Sequence, residues 1–274
     1  MNHRIVSLFQ ATLVATSITI SVASPAGNDV AKAAGPKAIL EEVQGKLNRA
    51  KTFSVTTLEE RGGGKIETKC AVKQYGEGDV SCRQEQRMVL PRGASQPFVS
   101  IMNHNKLYFF PTGCGNVIVR VKYLETREVG SPVANLFFSD GSCEVVSDAD
   151  SECAIRYTCT PEEIRTLKLA MEKKLGVEVK KDMTPAALEY KISKGSQTLL
   201  EATIYSERGK LITKQAFKDW KFDVEIPESA FEIPKGFKLF VVKSAKEAGL
   251  LQAELMRKAM AEQAKQQQRK KQQK

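Results

Sequence analysis

Residues 188–224 read LEYKISKGSQTLLEATIYSERGKLITKQAFKDWKFDV, and this stretch decides the fold. Its first two segments alternate apolar and polar residues with a period of two, which is typical of strands with one buried face. A turn at residues 208 and 209 leads into a third strand, over 210–224, that carries Trp220 and Phe222 on one side. The apolar set of the first two segments is Leu188, Tyr190, Ile192, Leu200, Ala202 and Ile204. The stretch predicts an antiparallel sheet whose apolar face must be covered by helices.

A second hairpin is predicted over residues 70–82, which read CAVKQYGEGDVSC. Placing Cys70 opposite Cys82 also places Val72 opposite Val80, so all four side chains share one face. We therefore predict a cross-strand disulfide between Cys70 and Cys82. Further strands are predicted over residues 52–61, 97–102, 106–110, 117–123, 143–147 and 153–159.

Two helices are predicted to cover the sheet. The first opens at Pro36 and carries an apolar stripe of Ile39, Val43, Leu47 and Ala50 at helical spacing. The second begins after Thr160, a natural N-cap that forms a capping box with Glu163, and ends after Leu175.

The cysteines indicate an oxidising compartment. The chain has six, an even number, at positions 70, 82, 114, 143, 153 and 159. A turn at residues 148–150 favours Cys143 with Cys153, which leaves Cys114 with Cys159. Free or metal-bound thiols are the alternative, although the chain has no Cys-x-x-Cys pair.

The two ends of the chain are not expected to belong to the domain. Residues 1–23 have a basic start, an apolar run and a small-residue cleavage site, which predicts a signal peptide and export to the periplasm; an uncleaved membrane anchor is the alternative. Residues 24–35 read as a flexible lead-in.

Residues 244–274, rich in Gln and Lys, are either helical or disordered. From Lys243 onward nine basic and three acidic residues give a net charge of +6 out of +10 for the whole chain. The tail could bind an anionic membrane surface, whereas the nearly neutral body argues against a nucleic-acid partner.

No catalytic motif is evident in the sequence. His104 is the only histidine after the signal peptide and lies in a turn, and the glycines at 62–64 precede a strand rather than a helix. The carboxylate pairs Glu59–Glu60 and Glu162–Glu163 are interpreted as structural or solvated. We predict no enzymatic activity, no cofactor and no metal.

Three segments carry a family resemblance. The strand start at residues 51–55, KTFSV, the segment 102–113, MNHNKLYFFPTG, and the ending 229–240, SAFEIPKGFKLF, together resemble LolA/LolB-like periplasmic lipoprotein carriers. The resemblance spans about residues 38–242, and the half-barrel domain is predicted over residues 36–243. It implies a mainly β fold, an incomplete antiparallel barrel covered by two or three helices, which encloses a cavity for acyl chains.

On this resemblance the leading hypothesis is a non-enzymatic carrier of an acyl chain, a lipid or a lipoprotein. The predicted cavity is lined by Val72, Val80, Leu107, Tyr190, Ile192, Leu200, Ile204, Trp220 and Phe222. The alternative is an envelope sensor or scaffold domain that binds a partner protein through its sheet and has no ligand cavity.

Overall fold

The described part of the chain folds into one open, mainly antiparallel β-sheet with three α-helices. The computed structural model describes residues 35–61, 64–76, 79–90, 93–94, 98–104, 106–111, 115–121, 140–175, 178–243 and 245–272. The predicted signal peptide and nearly all of the lead-in lie outside these residues. The helices are α1 (Pro36–Arg49), α2 (Pro161–Leu175), α3 (Ala245–Gln272) and a short 3-10 helix, η1 (Glu228–Phe231).

The described sheet has thirteen strands. They are β1 (Thr52–Arg61), β2 (Gly64–Gly76), β3 (Asp79–Leu90), β4 (Gly93–Ala94), β5 (Phe98–Asn103), β6 (Lys106–Phe110), β7 (Val117–Val121), β8 (Ser142–Asp148), β9 (Glu152–Thr158), β10 (Pro185–Ser193), β11 (Thr198–Ser206), β12 (Leu211–Phe222) and β13 (Lys238–Val242). The order is β13-β7-β6-β5-β3-β2-β1-β12-β11-β10-β9-β8, and β4 pairs with β3. β13 runs parallel to β7, whereas the other described pairings are antiparallel. The predicted fold class, an incomplete antiparallel barrel covered by helices, is confirmed.

The sheet has an inner face, defined here by Phe53, Val72 and Tyr190, and an outer face opposite to it. Because side chains alternate along each strand, the register assigns every paired residue to one face. The helix α1 packs on the inner face with Val43 and Leu47 of its predicted stripe and with Leu40, which the prediction did not include. The outer face carries mostly polar residues and is crossed near β3 and β5 by η1, whose Phe231 is buried.

The predicted capping box of α2 is present. The Glu163 N–H donates to Thr160 Oγ1 over 3.2 Å, and the Thr160 N–H donates to Glu163 Oε2 over 2.8 Å. Two of the N–H groups that a helix start leaves without partners are thereby satisfied. The helix begins at Pro161 and extends to Leu175, as predicted.

The predicted register of the β2–β3 hairpin is wrong by two residues. Cys82 lies opposite Val72 rather than Cys70, and Val80 lies opposite Gln74. The turn lies farther along the chain than predicted, with Gly76 opposite Asp79, and a bulge between Gln74 and Gly76 then moves the pairing by one residue. Because the shift is even, the predicted common face is retained, and Cys70 and Cys82 are now diagonal neighbours on it.

The predicted pairing of Cys143 with Cys153 does not fit the β8–β9 register. Cys143 lies opposite Tyr157, four residues along β9 from Cys153. Four residues of a strand span about 13 Å, which is beyond the reach of a disulfide. The hairpin turn was placed correctly, but Cys153 lies beside that turn, opposite Asp148. Cys114, the predicted partner of Cys159, lies outside the described residues.

The tail is helical from Ala245 to Gln272, one of the two predicted possibilities. Ala248 packs beside Phe109, Phe98 and Leu107 on the inner face, so α3 begins as part of the fold. In the part of the chain that is described, no helix has the length and apolar composition needed to span a membrane.

Candidate functional site

Eight of the nine predicted cavity residues meet on the inner face, and four of the nine are buried in packed core. Val72 and Tyr190 are 0% exposed and Ile192 is 1% exposed. Val80 is also buried. The remaining residues that pack against the same core while partly exposed are Leu107, Ile204, Trp220 and Phe222. The structure therefore brings eight of the nine predicted residues together on the inner face of the described sheet.

Leu200 is the exception among the predicted cavity residues. Ile192 lies opposite Leu199, whereas Lys191 lies opposite Glu201, so Leu200 is the extra residue of a bulge in β11. Leu199 takes the core position and is 0% exposed, and Leu200 is only half-buried and lies outside the core cluster. Simple alternation predicted the wrong leucine because it assumes an unbroken strand.

The helix α1 covers part of the inner face of the sheet. Leu40, Val43 and Leu47 are all buried against β1, β2 and the β9–β12 half of the sheet. The Gln74 side-chain amide donates to the carbonyls of Leu47 and Ala50, over 2.8 Å each, and thereby satisfies the C-terminal end of the helix.

Polar contacts hold α1 against the β10–β11 turn. Lys46 Nζ donates to the Ser196 carbonyl over 2.6 Å, and Gln197 Nε2 donates to Glu42 Oε1 over 2.5 Å. Lys46 Nζ also lies 4.5 Å from the centre of the Phe222 ring, close enough for a cation–π contact. The helix is thus fixed at its end and along its length.

An aromatic stack fills the inner face beside α1. Phe217 and Trp220 stack with ring centres 6.0 Å apart, and Trp220 and Phe222 stack at 5.5 Å with their planes 4° apart. Phe53 lies 6.2 Å from Trp220. The Trp220 Nε1–H donates to the Leu199 carbonyl over 2.8 Å, so its polar atom is satisfied. These rings contribute to the core rather than to a cavity wall.

A belt of buried polar residues crosses the inner face between the two apolar clusters. It consists of Thr57, Glu59, Thr68, Gln86 and Ser100. Thr213 Oγ1 donates to Glu59 Oε1 over 3.1 Å from the neighbouring strand. Thr57 Oγ1 is buried without a hydrogen-bond partner in the described structure. An acyl chain that lay along the whole inner face would have to cross this belt. Such a position is unfavourable, because the acyl chain would cover the polar atoms without forming hydrogen bonds to them.

The outer face carries an open groove of about 520 Å³ over β12, β1, β2 and β3. Arg83 forms one wall, where it bridges Glu85 over 2.8 Å and donates to the Ala230 carbonyl of η1 over 3.4 Å. At the opposite wall Asp219 has a positive φ of 57° where a bulge interrupts the β1–β12 pairing. The groove is lined by Ser54, Val55, Thr56, Lys69, Cys70, Ala71, Arg83, Glu85, Asp219 and Lys221. The sequence did not predict it, because the groove depends on the bulge and on the path of η1.

A second polar cluster ties η1 to the end of the β2–β3 hairpin. Glu228 accepts from Lys73 Nζ over 2.5 Å and from the Tyr75 hydroxyl over 2.6 Å, and these two hydrogen bonds lower the pKa of Glu228. His104 Nδ1 lies 2.9 Å from Asp79 Oδ2, and the His104 ring lies 4.8 Å from that of Tyr75. His104 lies in a turn, as predicted. Its side chain contacts both strands of the β2–β3 hairpin.

The thiols of Cys70 and Cys82 lie close together in the core. Their Sγ atoms are 3.5 Å apart, and both side chains are buried. The hydrogen bond with Cys70, together with burial, raises the pKa of Cys82 well above its ordinary value. A disulfide requires about 2.05 Å between the sulfurs, so the two thiols would have to approach each other further to form the bond. The bridge remains a prediction.

The described residues contain no group of three or more His, Cys, Asp and Glu side chains that could hold a metal ion. The carboxylates singled out in the sequence have structural partners. Glu163 accepts hydrogen bonds from the Tyr157 hydroxyl and the Asp140 N–H as well as from Thr160. Glu60 forms a surface ion pair with Lys65 over 2.9 Å.

The chain is similar to several solved structures at low sequence identity. No protein-family model matches the chain, and no curated protein matches it. An uncharacterized conserved protein from Thermus thermophilus matches with 11% identity and a TM-score of 0.45, over 75% of this chain and 98% of that one. The MucA/MucB complex of Pseudomonas aeruginosa matches with 11% identity and a TM-score of 0.46, over 76% of this chain and 64% of that one. A LolA superfamily protein from Nitrosomonas europaea matches with 12% identity and a TM-score of 0.33, over 73% of this chain and 99% of that one. A LolA superfamily protein is thus among the solved structures that this chain matches.

Proposed function

We propose that this chain is an exported, non-enzymatic binding domain whose inner face is closed core and whose ligand is a partner protein bound on the outer surface of the sheet. The observation that supports it most is the burial of the predicted cavity residues. Val72, Tyr190 and Ile192 are at most 1% exposed, and α1 covers them with large aliphatic side chains. A carrier must keep or open space for its ligand, whereas a packed core leaves few voids larger than a water molecule.

The surface that remains for binding is open and carries charged side chains. The outer groove of about 520 Å³ is within the range of ligand sites, and five of its ten lining residues are charged. Such a surface suits the side chains of a protein better than an acyl chain, because an acyl chain would leave Lys69, Lys221 and Asp219 desolvated without partners. The sequence-based alternative of a sensor or scaffold domain is therefore preferred to the carrier.

The proposal is tested first on the inner face. Full-length protein is titrated with a fluorescent fatty acid, and its mass is measured under non-denaturing conditions to detect co-purified lipid. We expect neither saturable binding nor bound lipid. Ile204→Trp points into the inner face and should cost roughly 1 to 3 kcal/mol through overpacking. Leu200→Trp, on the same strand at the bulge, is the matched control. Probe binding that Ile204→Trp abolishes and Leu200→Trp preserves would establish the carrier instead.

The outer surface is tested by photo-crosslinking in the native host. A crosslinking amino acid is placed at Lys221, in the groove wall, or at Ile204, on the inner face. We expect a protein adduct of defined mass at position 221 and none at position 204. A lipid adduct at position 204, or no protein adduct at position 221, would contradict a partner-binding outer surface.

A further inference from the structure

The strand β13 leaves one row of backbone hydrogen-bonding groups open at the end of the described sheet. β13 pairs in parallel with β7, and no other described strand pairs with it. The Lys238 N–H donates to the Asn116 carbonyl over 2.9 Å, so the backbone of residue 238 points toward β7. Because successive residues of a strand point their N–H and C=O groups to opposite sides, Leu239 and Val241 present theirs at the open edge. A further strand could pair with these two residues.

The side chains at the open edge are apolar and unusually exposed. Leu239 is 48% exposed and Val241 is 50% exposed, and both project from the outer face, where their neighbours on β7 are Ile118 and Arg120. Two aliphatic side chains two residues apart can contact alternate residues of an added strand.

The strand at the other end of the sheet shows what a protected edge looks like. β8 carries the acidic residues Glu144 and Asp148 and has a bulge between Val145 and Ser147. A bulge on an edge strand discourages further pairing. β13 has no such bulge, and its pairing with β7 is regular along its whole length. The two edges are therefore not equivalent, and β13 is the one open to addition.

The charge around β13 selects the partner. Residues 235–243 read KGFKLFVVK, with three lysines and no acidic residue. A second copy of this chain paired at the same edge would bring three more lysines into one interface, which is repulsive. A strand with acidic residues at its ends would instead place its carboxylates near these lysines.

We propose that β13 is a docking edge that takes up an extended segment of a partner protein, with alternating apolar residues and acidic residues at both ends. This inference rests on the proposed function, since it names the surface and the chemistry of the protein partner. The segment adds to the sheet through the backbone of Leu239 and Val241, and its apolar side chains cover theirs.

The experiment measures fluorescence anisotropy of a labelled seven-residue peptide with alternating valines and serines between terminal glutamates, titrated with the full-length protein. A matched peptide with terminal lysines is the control ligand. We expect saturable binding of the glutamate peptide and at least about tenfold weaker binding of the lysine peptide, the loss expected when charge attraction becomes repulsion at two ends.

Three variants separate the contributions. Val241→Pro removes an N–H from the open edge but none from the β7 side, a position where a strand tolerates proline, and should weaken binding about tenfold or more. Val241→Thr keeps the N–H and the shape and should change affinity by less than about threefold. Lys235→Glu tests the charge without touching the strand, and should weaken the glutamate peptide and strengthen the lysine peptide.

Several results would overturn the docking edge. Absence of saturable peptide binding, equal affinity for both peptides, or equal effects of Val241→Pro and Val241→Thr would each do so. A dimer in sedimentation that Val241→Pro dissolves would show that the occupant is a second copy. Fatty-acid binding on the inner face would refute the proposed function alone, because it leaves the peptide measurements at β13 unchanged.

Discussion

The hydroxyl of Tyr157 joins the β8–β9 hairpin to α2, and its removal gives a quantitative test of the described packing. The hydroxyl donates to Glu163 Oε1 over 2.5 Å and accepts from the Gly141 N–H over 2.7 Å. Glu163 is at the same time part of the capping box with Thr160. The ring itself is 1% exposed, so water cannot readily replace these bonds.

Tyr157→Phe keeps the ring and removes only the oxygen. It leaves the Gly141 N–H without its acceptor and deprives the Glu163 carboxylate of one donor. A buried group left unsatisfied costs about 1 to 3 kcal/mol, and hydrogen bonds to charged groups lie in the upper half of that range. We therefore expect the free energy of unfolding to fall by about 2 kcal/mol. For a chain of this size that corresponds to a decrease in Tm of about 4 to 8 °C.

The measurement is urea unfolding followed by the fluorescence of Trp220, the single tryptophan of the chain. An unchanged m-value would show that the loss is one of stability and not of compactness. Tyr205→Phe is the matched control, because the half-buried Tyr205 ring contacts Arg156 while no hydrogen bond of its hydroxyl is seen in the described structure. A loss at Tyr157 below about 0.5 kcal/mol, or equal to that at Tyr205, would refute the network.

The same residue makes a prediction about pH. Burial, followed by the hydrogen bond to Glu163, raises the pKa of Tyr157 far above its ordinary value. A group whose pKa is raised on folding contributes stability that is complete below its unfolded pKa, about 10 for tyrosine, and is lost as the pH rises. The stability of the unaltered protein should therefore decline above about pH 10, and more steeply than that of Tyr157→Phe.

Three further predictions concern the hairpin, the thiols and the tail. Gly141→Ala should lower the free energy of unfolding by more than about 3 kcal/mol, because a Cβ there would lie 2.3 Å from a backbone oxygen of the facing strand. Gly195→Ala is the control, since a Cβ there meets nothing within 4 Å and the change should be nearly neutral in the same melts. Cys70 and Cys82 should be linked by a disulfide in the exported protein, and the bridge should contribute about 3 kcal/mol to the free energy of unfolding. Peptide mapping without reduction would detect the bridge, and finding either thiol free would contradict it. Deletion of residues 257–274, which hold seven basic residues and one acidic residue, should leave the melt unchanged and weaken binding to anionic vesicles at low salt; equal vesicle binding would count against a membrane role.

Local patterns in the sequence predicted local structure well. The capping box of Thr160 and Glu163 depends on residues three apart, so its spacing is sufficient to identify it. The stripe of α1 was likewise visible from its period, and Leu47 is buried as that period requires. The face of each residue in the β2–β3 hairpin was right as well, because an even error in register leaves Cys70 on the same side.

Features that depend on an inserted residue or on distant parts of the chain could not be predicted. The bulges that shift Val72 and displace Leu200 each add one residue to a strand without any marked change in composition. The parallel pairing of β13 with β7 joins segments more than a hundred residues apart in the chain, and no periodicity encodes it. The outer groove requires both the bulge near Asp219 and the path of η1, so no single segment predicts it.

The choice between a carrier and a partner-binding domain depends on how much volume the inner face leaves for a ligand. An alternating pattern of apolar residues does not specify that volume. Strands with apolar residues at every second position produce the same inner face whether that face surrounds a ligand or a helix. Here Leu40, Val43 and Leu47 of α1 and the stacked rings of Trp220 and Phe222 supply large side chains to that face. The apolar surface is therefore satisfied within the chain, and further binding must draw its energy from groups that folding leaves unpaired. On the described surface these include the backbone edge of β13. The charged walls of the outer groove offer further contacts, and both surfaces are suited to the backbone and the side chains of another protein.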